Sequence, residues 1–90
     1  MSDLNLLPNI GNTLAHELMK SGIASTAQLQ QAGSIQAAAL LEKHGFSVCR
    51  SKLCALEGAI QGIRWHLLPA DDRARLWEVY AEHESAAATD

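Results

Sequence analysis

The chain has 90 residues, which suffices for one domain with a modest core. Its hydrophobic share is 48%, supplied mostly by Leu, Ala and Ile with few aromatics, and this bias favours helices. A net charge of −3 argues against a protein that binds nucleic acid tightly and nonspecifically through a basic face, although it leaves room for a local basic patch.

Targeting and redox signals favour the cytoplasm. The sequence shows no secretory signal, and no apolar run approaches the roughly 18 residues of a membrane span. Cys49 and Cys54 lie five residues apart in a predicted helix, so their side chains diverge and cannot close a disulfide. We therefore expect a cytoplasmic, reduced protein.

The first predicted helix covers about residues 12–21, and Leu14 and Leu18 share one of its faces. Gly22 occupies the position of a left-handed residue that ends a helix, and Ile23 can fold back as its hydrophobic contact. The sequence therefore predicts a sharp turn after this helix.

Two short helices are predicted next. Ser25 and Gln28 form a Ser-x-x-Gln capping box, which starts a helix that stops at Gly33. Ser34 then caps a third helix, which ends at Gly45.

A central helix is predicted over about residues 47–62, the longest in the chain. Its apolar stripe alternates steps of four and three and consists of Cys49, Leu53, Leu56, Ile60 and Ile63. Gly58 and Gly62 each cost about 1 kcal/mol relative to alanine inside a helix. We therefore expect a neighbouring helix to approach this side closely.

The last predicted helix starts at residues 68–72, where a proline and two acidic residues suit a helix N-terminus. It carries Leu76, Trp77 and Tyr80 inward until about Glu84, and residues 85–90 are predicted to form a flexible tail. No segment alternates with period two. The prediction is an all-α, single compact domain over residues 1–90, ordered over about 4–84, with about five short helices.

The motif Leu-Pro-Asn-Ile-Gly at residues 7–11 leads directly into the first helix, a pattern typical of a helix-hairpin-helix turn. Such a turn can offer backbone N–H groups and a helix N-terminus to a phosphate. The candidate nucleic-acid-binding residues are Ile10, Gly11, Asn12 and Thr13, with Arg50 or Lys52 assisting. A purely structural turn is favoured, because Asn9 replaces the usual second glycine and no Lys or Arg lies close by.

A second candidate is a basic and aromatic cluster, consisting of Arg50, Lys52, Arg64, Trp65 and His66. It could grip a nucleic-acid backbone and stack a base. The favoured interpretation is structural: Trp65 fills the core where the central helix ends, and Arg64 and His66 interact with the last carbonyls.

Metal binding and catalysis have weak signals. His44, Cys49, Cys54 and His66 carry zinc-binding atoms, but their spacing does not suit a structural site, and we interpret the cysteines as small buried hydrophobes. Glu57 has no acidic partner at helical spacing and is interpreted as hydrogen-bonded to a helix terminus. We therefore predict no enzyme, no metal and no cofactor.

Taken together, several segments resemble the C-terminal domain of the TfoX/Sxy competence regulators over about residues 4–80. The resemblance rests on residues 7–11, Leu14, Leu18, residues 22–23, Leu29, Gly33 and residues 56–62, followed by Arg64, Trp65, Leu68 and Pro69. It implies an all-helical domain that usually follows a separate N-terminal TfoX domain in bacterial regulators. There the pair acts with a cyclic-AMP receptor protein to switch on DNA-uptake genes. These 90 residues hold no such N-terminal domain, so we expect a stand-alone member or a piece, and the resemblance supplies no catalytic or ligand residues.

Two functional hypotheses follow. The first is a regulatory interaction module that binds another protein, or a second copy of itself, through an apolar or small-residue helix face. The candidate interface residues are Gly58, Gly62 and Trp65. The second is a weak DNA-binding module that uses the hairpin at residues 7–11 and the following helix N-terminus. Neither hypothesis implies a membrane or a small-molecule substrate, and strong salt dependence of binding would favour the DNA module.

Overall fold

The computed structural model describes the backbone of residues 3–88 and the side chains of residues 3–84. The elements are a 3₁₀ turn at Leu4–Leu6, α1 at Asn12–Lys20, α2 at Thr26–Lys43, α3 at Arg50–Gln61, a 3₁₀ turn at Trp65–Leu67 and α4 at Ala70–Ala88. Residues 3–88 contain no strand, which confirms the all-α prediction.

The predicted end of α1 is confirmed in detail. Gly22 adopts a left-handed φ of +96°, which lets the N–H of Ile23 donate to the carbonyl of Leu18 at 2.8 Å. The side chain of Ile23 is buried. Local sequence alone thus fixes the angle at which the chain leaves α1 for α2.

The capping box at the start of α2 is also present. The Ser25 hydroxyl accepts a hydrogen bond from the N–H of Gln28 at 3.1 Å, while the Gln28 amide oxygen accepts from the N–H of Ala24 at 2.6 Å. Gly33 has non-helical angles, φ +82° and ψ 166°, and it ends the first half of α2 as predicted. Helical geometry resumes after Gly33, so α2 consists of the two predicted helices joined across a kink.

Two predicted helix bounds are wrong. The central helix is not the longest: α3 has 12 residues and starts at Arg50, whereas α4 has 19. Residues 46–49, which precede α3, are not helical. They form a connector in which Phe46 and Val48 pack against the core. In turn, α4 continues to Ala88 because residues 85–88 include three alanines, the best helix formers. The rest of the predicted flexible tail, Thr89 and Asp90, lies outside the described residues.

The core lies between α2, α3 and α4, with α1 and the first 3₁₀ turn closing one end. Its fully buried leucines are Leu4, Leu18, Leu29, Leu41, Leu53 and Leu56. Tyr80 of α4 is also buried, and its hydroxyl donates to the carbonyl of Ala38 at 3.4 Å. Burial raises the pKa of Tyr80 far above its usual value, and nearby Glu42 and Glu84 add to this effect. The hydroxyl therefore stays protonated and links α4 to α2.

Asp3 fastens the N-terminus of the chain to the start of α2. Its carboxylate accepts hydrogen bonds from the N–H of Thr26 at 2.9 Å and from the Thr26 hydroxyl at 3.0 Å. These bonds favour the charged form, above all the one from the N–H, and hold the pKa of Asp3 below its usual value.

We expect Asp3→Asn to make stability less dependent on pH. Because the pKa of Asp3 is lowered by folding, its contribution is present above the unfolded-state pKa of about 3.9 and is lost as pH falls through the lower folded-state pKa. The wild type is therefore expected to have the higher Tm at pH 7, and the difference should shrink as pH falls below the unfolded-state pKa. Thermal unfolding followed by circular dichroism across this range checks the expectation, which a pH-independent difference would contradict.

Candidate functional site

The side chain of Asn9 connects the hairpin at residues 7–11 to the C-terminal end of α3 through hydrogen bonds. Asn9 adopts a left-handed φ of +71°, the position where helix-hairpin-helix turns usually hold glycine. Its amide nitrogen donates to the carbonyl of Ile63 at 2.8 Å and lies 3.4 Å from that of Ala55. Its amide oxygen accepts from the N–H of Trp65 at 3.1 Å. Asn9 thus has a structural role that ties the hairpin to the chain after α3.

Gly58 provides the space for this connection. A Cβ at position 58 would lie 2.6 Å from the amide nitrogen of Asn9, 2.8 Å from the carbonyl oxygen of Ile63 and 3.1 Å from Cα of Trp65. The expected close approach exists, but it is made by the hairpin and the chain after α3 rather than by a neighbouring helix.

Gly58 is therefore buried, and its assignment to an exposed protein interface is wrong. Gly62 is exposed, but it adopts a left-handed φ of +78° that ends α3. Trp65 is half-buried, and the Arg73 guanidinium lies 5.8 Å from its ring centroid. The three predicted interface residues do not form one open face.

Arg64 and His66 were predicted to bind the last carbonyls of α3, but backbone N–H groups bind these carbonyls instead. The N–H of Ile63 donates to the carbonyl of Gly58 at 2.9 Å, and the N–H of Gly62 donates to that of Ala59 at 3.1 Å. Arg64 and His66 are exposed beside them, and the His66 ring packs edge-on against Trp65 with 5.9 Å between centroids.

The predicted nucleic-acid-binding residues divide into two groups. Ile10 is buried, so only its backbone could face a ligand. Gly11, Asn12 and Thr13 are exposed at the start of α1, where no side chain caps the helix and no acidic residue lies in the first turn. Asn12 accepts a hydrogen bond from Asn5 at 3.2 Å. The N-terminus of α1 is therefore open to solvent.

The two predicted basic helpers differ. The Lys52 ammonium forms an ion pair with Glu17 of α1 and donates to the carbonyl of Ser47 at 2.8 Å, so its charge is compensated within the chain. Arg50 is exposed in the first turn of α3. Beside Glu17, a shallow groove is lined by Asn12, Thr13, His16, Glu17 and Phe46. An acidic residue thus lies beside the proposed phosphate site.

A second cleft, between α3 and α4, was missed by the sequence analysis. This α3–α4 cleft has a volume of about 260 Å³ and is lined by Glu57, Gln61, Leu68, Asp72, Arg75, Leu76 and Val79. Val79 is 44% exposed, and Leu76 is half-buried. The spacing of Leu68, Asp72, Arg75 and Val79, in steps of four and three, could have indicated a second face of the last helix.

The charged groups of the cleft differ in how they are paired. Glu57 accepts hydrogen bonds from the Ser34 hydroxyl at 2.7 Å and from the Gln61 amide at 2.6 Å. Ser34 begins the half of α2 after the kink, which agrees with the interpretation of Glu57 as bound to a helix start. Among residues 3–84, Asp72 and Arg75 have neither an ion-pair nor a hydrogen-bond partner.

The cysteines do not share one environment. Cys54 is buried as predicted, and burial raises the pKa of its thiol. Cys49 is exposed just before α3, so its prediction as a core residue is wrong, because α3 starts later than expected. Within the described part of the chain, no three His, Cys, Asp or Glu side chains are grouped to hold a metal ion. No helix over residues 3–88 is both apolar and long enough to cross a membrane.

Comparison with known proteins places this fold in a family. The TfoX C-terminal domain family matches residues 1–80. A triclinic crystal structure of an uncharacterized protein from Listeria monocytogenes is 42% identical, with a TM-score of 0.82 over 90% of this chain and 92% of that one. A tetragonal crystal structure of a protein of unknown function from the same organism is 41% identical, with a TM-score of 0.81 over 89% and 98% of the two chains. No curated protein sequence matches. The chain therefore belongs to the TfoX C-terminal domain family.

Proposed function

We propose that this domain is a non-enzymatic interaction module of bacterial competence or transcription regulation, and that it binds a protein at the α3–α4 cleft. Family membership supports the regulatory role. The observation that carries the binding mode is the cleft itself, which combines an exposed apolar side chain, Val79, with two unpaired charged groups, Asp72 and Arg75.

The charge pattern supports a protein partner over a nucleic acid at this cleft. Its lining contains two carboxylates, Glu57 and Asp72, and one guanidinium, Arg75. Two carboxylates repel a phosphate backbone, whereas a protein surface can offer both signs of charge around an apolar contact. Full burial of the Val79 side chain is worth about 1.5–3 kcal/mol at most, so the cleft would form the centre of a larger interface.

The non-enzymatic part of the proposal rests on Glu57. Its carboxylate accepts hydrogen bonds from Ser34 of α2 and from Gln61 of α3, which gives it a structural role in joining the two helices.

A photo-crosslinking residue at Val79 tests this function. In bacterial cells, it is expected to give a discrete crosslinked protein, whereas the same residue at the exposed Gln36 of α2 is expected to give none. The captured protein is then purified and titrated against the domain. Val79→Glu is expected to weaken its binding at least about tenfold, because it places a charge in the buried centre of the interface.

The control is the fold of the variant, measured as its circular dichroism and Tm, which a change at an exposed position is expected to leave nearly unchanged. Equal affinity of the wild type and Val79→Glu for the purified partner would show that the cleft is not the binding site.

The open N-terminus of α1 favours a second candidate function, weak DNA binding. Gly11, Asn12 and Thr13 are exposed at the start of the helix, no side chain caps it, and the first turn holds no carboxylate. Against it stand the ion pair that neutralises Lys52 and the net charge of −3.

Two substitutions of Gly11 separate this function from folding. Gly11 has extended backbone angles and open space around its Cα, so Asn or Asp can cap α1 there. Both variants are expected to be more stable than the wild type by a few tenths of a kcal/mol. Only Gly11→Asp places a negative charge at the phosphate site, so it is expected to abolish binding that Gly11→Asn retains.

The measurement is a ¹⁵N amide titration with a short duplex DNA at low and then moderate salt. Phosphate binding predicts shifts confined to residues 10–13 that disappear as salt rises. An unchanged spectrum at low salt, or equal shifts in Gly11→Asp and Gly11→Asn, would remove DNA binding as a function of this hairpin.

A further inference from the structure

We propose that the protein at the α3–α4 cleft is a second copy of this chain, joined through an antiparallel, two-fold pairing of α4. This inference rests on the proposed function, since it names the partner of the same cleft. Asp72 of each copy would pair with Arg75 of the other. The domain would then act as a symmetric dimer.

The first argument is the shape of the α4 face. Asp72, Arg75, Leu76 and Val79 recur in helical steps of three and four along the cleft, so they form one stripe that runs along the helix. Val79 remains 44% exposed on this stripe, although α3 covers its other edge. Two packed helices contact each other along such stripes, so the exposed side of this one can pack against another helix.

The second argument is that the charges of this stripe complement themselves. Within residues 3–84, neither Asp72 nor Arg75 has an ion-pair partner, and they lie nearly one turn apart with opposite charges. A two-fold axis makes contacts reciprocal, so the register that sets Asp72 opposite Arg75 forms the pair twice. In the same register, Val79 of one copy lies opposite Leu68 of the other, at the end of the cleft.

Other occupants fit less well. A parallel pairing of α4 would set Asp72 against Asp72 and Arg75 against Arg75, and like charges in contact are destabilising. A uniformly basic helix would meet Arg75, and a uniformly acidic one would meet Asp72. The occupant must carry both signs at this spacing, and the chain itself supplies that arrangement.

A charge-exchange experiment tests the proposal. Sedimentation equilibrium of the wild type is expected to show a dimer. Asp72→Arg and Arg75→Asp are each expected to raise the dimer Kd at least about tenfold, because each homodimer then holds two like-charged pairs. Mixing the two single variants is expected to restore dimers, and so is the double variant that carries both changes.

Asp72→Arg also places a positive charge near the N-terminus of α4, which could destabilise the fold. The rescues exclude this explanation, because a folding defect would not be repaired by a partner that carries the opposite change. Glu78→Lys is the matched control. It changes the net charge by as much as Asp72→Arg, at an exposed α4 position outside the cleft lining, and is expected to leave the dimer Kd within about twofold.

Each other outcome overturns the inference. A wild type that stays monomeric, while a different purified protein binds in a Val79-dependent manner, would disprove the dimer and leave the proposed function standing. A dimer that is insensitive to both single variants would place self-association on another surface. A monomeric wild type with no protein captured at Val79 would remove the inference and the proposed function together.

Discussion

Gly58→Ala is expected to lower the free energy of unfolding by about 2 kcal/mol, as an overpacking substitution in a close-packed interior. Alanine in place of an interior helical glycine normally stabilises by about 1 kcal/mol, so the expected sign is the reverse of helix propensity. The reason is steric: the added Cβ would lie 2.8 Å from the Ile63 carbonyl oxygen and 3.1 Å from Cα of Trp65, both backbone atoms. Urea unfolding followed by circular dichroism measures the change.

The control is Ser51→Ala, at an exposed position of the same helix, where the expected change is within about 0.5 kcal/mol. A Gly58→Ala variant that is as stable as the wild type or more so would mean that the hairpin and the chain after α3 can move apart without loss. A larger residue, such as leucine, is expected to prevent folding and is therefore unsuitable for testing an interface.

The interior position of Gly58 shows where sequence reasoning stops. A glycine inside a helix indicates a close approach, because its cost in helix propensity needs a compensation. The identity of the approaching group depends on contacts across the chain: Asn9 reaches Ile63 and Trp65, more than 50 positions away. No local pattern encodes such a contact, so the predicted neighbour, a helix, was wrong.

Helix ends were predictable to the extent that they depend on neighbouring residues. Gly22 and Ile23 end α1 through hydrogen bonds within six residues of each other, so the motif alone determines the geometry. Gly33 gives a similar signal and interrupts α2 with non-helical angles between its two helical halves.

The α3–α4 cleft was not inferred from the sequence, because its residues had adequate local explanations. Acidic residues at the start of α4 suit the helix dipole, and Leu76 suits the core, so neither demands a partner. The open side of the α4 stripe depends on how far α3 covers it, which is a property of packing. The two unpaired charges become informative only when the structure shows that no neighbour in residues 3–84 binds them.

Asn9→Ala is expected to have a larger effect than Gly58→Ala, lowering the free energy of unfolding by about 3 kcal/mol. The left-handed backbone at position 9 costs an ordinary L-residue roughly 1–2 kcal/mol. This cost is smaller for asparagine than for alanine, so the substitution adds the difference. Loss of the amide also leaves the Ile63 carbonyl and the Trp65 N–H without their partner, at about 1–3 kcal/mol when such groups are buried. For a domain of marginal stability, this loss is a large share of the total.

Asn9→Gly separates the two contributions, because glycine accepts the left-handed φ but makes none of the side-chain hydrogen bonds. It is expected to lose about 1–2 kcal/mol, less than Asn9→Ala. Asn9→Asp keeps the size and the acceptor for Trp65 but turns an oxygen toward the Ile63 carbonyl, so it is expected to be less stable than Asn9→Gly at pH 7. If Asn9→Gly matched the wild type, the backbone conformation alone would account for Asn9.

A double-mutant cycle then connects Asn9 with Gly58. Removal of the Asn9 side chain eliminates the 2.6 Å contact with a Cβ at position 58 but not the contact with the Ile63 carbonyl oxygen. The Gly58→Ala loss is therefore expected to be smaller in the Asn9→Gly background by about 0.5–1 kcal/mol, yet not to disappear. Strict additivity would mean that the hairpin yields freely to the new methyl group. The backbone after α3 would then be the sole reason that position 58 requires glycine.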